Sequence, residues 1–157
     1  AGVVASMSSV SRSGSEPKRF VEHDHGRDVY NQLDGVYNYT DSTPDSWMAV
    51  DLGAAHRLVP DHYALRADMH ADGTYKLRHW VLEGSADGAA WSVLRTHAGD
   101  SSCDKKMGVA AWALDGAAVG GRAFRHFRVR QTGKNSQGSD RLRCTGIELY
   151  GHLVTIE

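Results

Sequence analysis

Five arginines fall in segments that alternate apolar and polar residues: Arg66, Arg78, Arg125, Arg128 and Arg130. Neighbouring strands can bring such planar guanidinium forks together, and a fork fits a carboxylate or a phosphate. The competing reading is structural, with the same arginines paired to Asp51, Glu83 and Glu148 inside a sheet. Lys134-Asn135-Ser136 lies in a run of Gly, Asn and Ser, where side chains serve recognition more often than packing; it reads equally as a solvated turn. Tyr37, Tyr39, His70 and Tyr75 supply the rings and polar tips of a platform suited to a sugar. The candidate binding set is therefore Arg66, His70, Tyr75, Arg78, Arg128, Lys134 and Asn135.

Metal and nucleophilic chemistry have thinner support. Nine histidines are present, and only His23 and His25 are close, without the helical pair or cysteine pair of a zinc site. A structural calcium held by loop oxygens is the better metal candidate, with Asp34 first and Asp28 and Asp41 beside it, although no loop has dense acidic spacing. A hydrolase needs a nucleophile with a positioned base or paired carboxylates. Ser101, Ser102 and Cys103 near His97 are the one local set of that type, and they sit in a polar turn. The expectation is a domain without catalysis and without a cofactor.

The chain has 157 residues and a formal charge of -1. That length suits one domain with a real core, read here as 1–153 followed by a tail at 154–157. Near-neutral charge argues against general nucleic-acid binding, which draws on neutralised phosphates. No apolar run approaches a membrane span, and residues 1–10 do not read as a signal peptide. Two cysteines, Cys103 and Cys144, allow at most one disulfide, so the expected setting is intracellular, with both thiols idle or buried.

These residues are carried by short strands. Alternating or apolar segments run over residues 3–7, 47–52, 57–69, 75–85, 91–97, 109–114, 124–131 and 144–150. Turn signals separate them, among them Asp34-Gly35, a type I′ Asp87-Gly88, and Gly53 placed for positive φ. About eight short strands with no stretch of helical period predict an all-β antiparallel sandwich or barrel. Trp47, Trp80, Trp91 and Trp112 are expected to fill its interior. Asp51 is expected to accept turn amides or to pair with an arginine.

Several blocks together resemble a known family. Ser46-Trp47-Met48-Ala49-Val50-Asp51-Leu52-Gly53 is similar to the Trp-x-x-Val-Asp-Leu-Gly signature of discoidin, or coagulation-factor C-type, domains. Leu77-Arg78-His79-Trp80-Val81-Leu82-Glu83-Gly84-Ser85, Phe124-Arg125-His126-Phe127-Arg128-Val129 and Gly146-Ile147-Glu148-Leu149-Tyr150-Gly151 extend the likeness over 46–151. The set resembles the intracellular, galactose-binding-like subfamily found beside HECT ubiquitin-ligase domains and in BTB adaptor proteins. The resemblance implies a jelly-roll β-sandwich that meets a protein or peptide through loops at one end, with a carbohydrate as the alternative ligand. His79 and Ala67 depart from the subfamily's common Asn and His, which implies a different ligand preference. The candidate loop tips are mostly polar, unlike the apolar spikes of membrane-binding members.

Overall fold

The computed structural model describes residues 2–11, 15–21 and 37–157. Within them the chain forms β1 (Val4–Met7), β2 (Trp47–Asp51), β3 (His56–Arg66), β4 (Trp80–Ser85), β5 (Ser92–His97), β6 (Val109–Ala113), β7 (His126–Gln131) and β8 (Gly146–Thr155). Helix is limited to a 3-10 turn, Pro17–Phe20, and one turn of α-helix, α1, Gly116–Val119. A five-stranded sheet, β1-β2-β7-β4-β5, faces a three-stranded one, β6-β3-β8. All the named pairings are antiparallel. The expected all-β jelly-roll sandwich is the observed one.

Alternation decides which side chains enter the core. Met48 and Val50 of β2, Leu82 of β4, and Phe127 and Val129 of β7 point inward and meet Tyr63, Leu65 and Ile147 of the opposite sheet. Trp80 is fully buried, its ring stacked on His97 at 4.0 Å between centroids. Its indole N–H donates to the Tyr63 hydroxyl at 3.0 Å. Trp112 packs partly buried against the same cluster. Trp47 and Trp91 correct the expectation of four interior indoles. Trp47 alternates with buried Met48 and so lies on the outer face of the five-stranded sheet. Trp91 lies outside too, half-buried beneath the Arg128 guanidinium at 4.1 Å.

Three local readings also change. The strand expected from Tyr75 begins only at Trp80, because Tyr75 takes φ 52 and breaks the extended chain. The segment read as a tail from 154 is strand: Val154 pairs with Arg57 and Thr155 with His56. The Asp87-Gly88 hairpin is not type I′, since only Gly88 has positive φ. Asp87 instead accepts from the amides of Ala89 (2.8 Å) and Ala90 (2.9 Å) in a longer loop. Gly53 does take positive φ, 88°, with its amide donating to Asp51 at 2.8 Å.

Register places the loops. Met7 pairs Met48, Trp47 pairs Arg130, and Trp80 pairs both Gln131 and His97. In the other sheet Arg66 pairs Val109 and Gly146. Residues 37–46, 67–79, 98–108 and 132–145 therefore converge on one rim of the sandwich.

Candidate functional site

Backbone hydrogen bonds lock the rim loops together before any side chain acts. Tyr39 forms an isolated bridge with Arg143. The Ser136 amide donates to the Lys76 carbonyl at 2.9 Å, and the Cys144 amide to the Asn38 carbonyl at 3.1 Å. Asn38, fully buried, ties its side chain to the Cys144 carbonyl at 3.0 Å.

At the centre lies Asp68, whose side chain is 0% exposed. Its carboxylate accepts from Arg143 Nη1 at 3.1 Å and from the His70 amide at 3.1 Å. Lys76 Nζ lies 3.6 Å from Asp68 Oδ1 and donates to the Asp68 and His70 carbonyls at 3.2 and 2.8 Å. Burial pushes the Lys76 ammonium below its ordinary pKa, against the pull of Asp68. Over this buried charge sits a ring of aromatics. The Arg143 guanidinium carbon is 3.9 Å from the Tyr39 ring centroid and 4.7 Å from that of Tyr75. His70 stands between Tyr37 (5.4 Å) and Tyr75 (5.1 Å). Burial, and then the charge of Arg143, hold its imidazole below the usual histidine pKa. The guanidinium carbon of half-buried Arg141 lies 5.3 Å from the Tyr39 ring centroid.

The structure thus gathers Tyr37, Tyr39, His70 and Tyr75 into one platform, as their residue types suggested. The other predicted residues are at the rim in structural roles or elsewhere. Arg66 donates to the Thr145 carbonyl at 3.1 Å. Arg78 is ion-paired to Asp104, and Lys134, exposed, to Asp140. Asn135 is buried and organises its own loop: its Oδ1 accepts from Gln137 (3.0 Å) and Ser139 (3.1 Å), and its Nδ2 donates to the Arg141 carbonyl at 3.1 Å. Arg128 is away from the rim, on the outer face of the five-stranded sheet. There it meets Glu83 at 2.5 Å, and Arg130 meets the same carboxylate at 2.8 Å. Burial raises the Glu83 pKa, but the hydrogen bonds from Arg130 and Arg128 outweigh it and leave the group below the usual range. Arg125 likewise holds Asp51 in two bonds of 2.6 and 2.8 Å. For these three arginines the structural reading holds.

Sequence reasoning missed Asp68, Lys76, Arg141 and Arg143. Arg141-Leu142-Arg143 does alternate around a fully buried leucine, which was the available signal. Lys76 was read as one more residue of a strand, which hid a cation only 2% exposed.

His23, His25, Asp28, Asp34 and the Asp34-Gly35 turn lie outside the described residues. Among the described residues no group of three His, Cys, Asp or Glu side chains could hold a metal ion. The set around His97 does not form a nucleophile and base. Its Nδ1 faces Asp100 at 2.7 Å and its Nε2 the Tyr63 hydroxyl at 2.5 Å. Ser102 Oγ donates to Asp100, not to the imidazole. Burial pushes the Cys103 thiol up to about 12, and Cys144 to about 11, and both are free.

No family model matches the chain. Curated relatives do. It is 36% identical over 121 residues to E3 ubiquitin-protein ligase Ufd4 of Drosophila melanogaster, a match covering 75% of this chain and 4% of that protein. It is 36% identical over 109 residues to BTB/POZ domain-containing protein At2g30600 of Arabidopsis thaliana, covering 68% and 13%. The chain thus spans a small part of these relatives. Among solved structures, CpGH89CBM32-5 from Clostridium perfringens, in complex with GalNAc-beta-1,3-galactose, superposes with TM-score 0.67 over 95% of both chains at 11% identity. The lectin domain of lectinolysin, complexed with Lewis B antigen, gives TM-score 0.67 over 96% of this chain and 94% of the other at 18% identity. Topology and relatives agree: the chain has the β-sandwich fold of these solved domains and is similar over most of its length to segments of a ubiquitin-protein ligase and of a BTB/POZ protein.

Proposed function

We infer that this domain is a non-catalytic recognition module, and that it binds a peptide segment of a protein partner at the rim formed by Tyr37, Tyr39, His70, Tyr75 and Arg143. The observation that carries this reading is the convergence of three loops on an aromatic platform beside buried charge. Aromatic and arginine side chains are the types that dominate recognition hot spots. The neighbourhood of His97, with both ring nitrogens engaged and the thiol beside it protonated, supports the absence of catalysis. The relatives support a place inside a larger ubiquitin-ligase or BTB-type protein in the cell interior, where two buried free thiols persist.

A peptide-display selection tests the reading. Bound peptides are expected to lose at least tenfold in affinity to Tyr75→Ala, a change of about 1.4 kcal/mol. Selected peptides indifferent to that variant would move the site off the rim. A carbohydrate ligand is the second reading, favoured by glycan complexes among the structural neighbours. Glycan-array binding at millimolar sugar, with no peptide selected, would establish it instead.

A further inference from the structure

Resting on the rim as the binding surface, we propose that its ligand presents a carboxylate, so that the partner is an acidic peptide segment seated against Arg143 and Arg141. Lys76 and Arg143 are paired to one carboxylate, Asp68, and among the described residues Arg141 has no carboxylate partner. Arg141 Nη1 donates to the Ser11 hydroxyl and to the Thr40 carbonyl at 3.3 Å, neither of which neutralises it. Most other acids of the rim loops pair with other side chains: Asp72 with Lys105 at 3.5 Å, Asp104 with Arg78, Asp140 with Lys134, Asp45 with Arg130 and Asp100 with His97, while Asp41 is exposed to solvent.

The state of Arg143 is the second, independent observation. Its side chain is 6% exposed, yet its buried Nε–H has no hydrogen-bond partner. A charged donor left unpaired at low dielectric is unfavourable, and a planar carboxylate is the acceptor that fits a guanidinium fork. The same guanidinium favours peptide over sugar. A neutral sugar stacks on a bare ring face, whereas Arg143 already lies over the faces of Tyr39 and Tyr75. The guanidinium left nearer the solvent is that of the half-buried Arg141.

The test uses the whole chain and an array of random dodecapeptides, printed with free or amidated C-termini. Each bound sequence is re-measured in solution with its Asp and Glu replaced by Asn and Gln. The expected result is at least a tenfold loss on that replacement. A tenfold loss is also expected when NaCl is raised from about 0.05 to about 0.5 M. Loss on amidation alone assigns the carboxylate to the chain terminus; loss on side-chain replacement assigns it to Asp or Glu. Arg141→Gln, half-exposed and outside the buried pair, is expected to weaken acidic peptides at least threefold. Arg122→Gln, at the opposite end of the sandwich, is expected to change nothing. Peptides that bind equally well as neutral isosteres and at high salt would overturn the carboxylate while leaving peptide recognition standing. An array with no bound peptide would overturn both.

Discussion

Asp68→Asn changes one atom at the point where the rim's buried charge is balanced. Asn keeps the acceptor for the His70 amide, now 3.1 Å from Asp68 Oδ1, and keeps the volume. It removes the negative charge facing Lys76 at 3.6 Å and Arg143 at 3.1 Å, whose side chains are 1% and 6% exposed. Removing one partner of a buried ion pair leaves an uncompensated charge and costs about 3–5 kcal/mol. With a urea slope of about 2 kcal/mol per molar, the midpoint should fall by about 1.5–2.5 M. Equilibrium urea unfolding followed by tryptophan fluorescence reads this directly, since Trp80 is fully buried. Adding Lys76→Met to Asp68→Asn takes away one stranded cation and should recover part of the loss. A midpoint shift below about 0.5 M for Asp68→Asn, or a further fall in the double variant, would refute the reasoning.

Other perturbations probe other parts of the molecule. His97 and His70 both have folded pKa values lowered first by burial, so the unfolded chain takes up their protons first on acidification. Their contribution is fully present above about pH 6.5 and is lost as pH falls below it through the folded values; urea midpoints at pH about 7.5 and about 5.5 should show a drop, smaller in His97→Gln. Cys103 and Cys144 should be inert to an aromatic disulfide reagent at pH about 8 in the native protein and both react in denaturant, and rapid native labelling would contradict their burial. Gly151→Ala should destabilise by about 2–4 kcal/mol in thermal or urea unfolding, because φ is +152° and a Cβ would lie 2.0 Å from the Val59 carbonyl oxygen.

The fold was legible because its signals are local and redundant. Trp47 to Gly53 alternates, ends in Asp51-Leu52-Gly53, and needs Gly53 at positive φ, so the strand and its turn agree. The limits of that reading are also physical. Alternation cannot tell which face of an outer strand is covered, so Trp91 read as core although Arg128 rather than the opposite sheet covers it. Tyr75 to His79 alternates like a strand, yet the backbone turns at Tyr75 to bury Lys76 on Asp68. The platform itself was half legible. Its rings announce themselves by type, but Asp68 and Arg143 are 75 residues apart and meet only once their two loops converge.

Backbone amide spectra offer the most direct test of where this domain binds. On titration with a selected peptide, shifts are expected to concentrate in residues 37–41, 68–76 and 133–145. Shifts confined to the outer face of the five-stranded sheet, or to the opposite end around α1 and residues 86–91, would contradict a binding surface built on the rim.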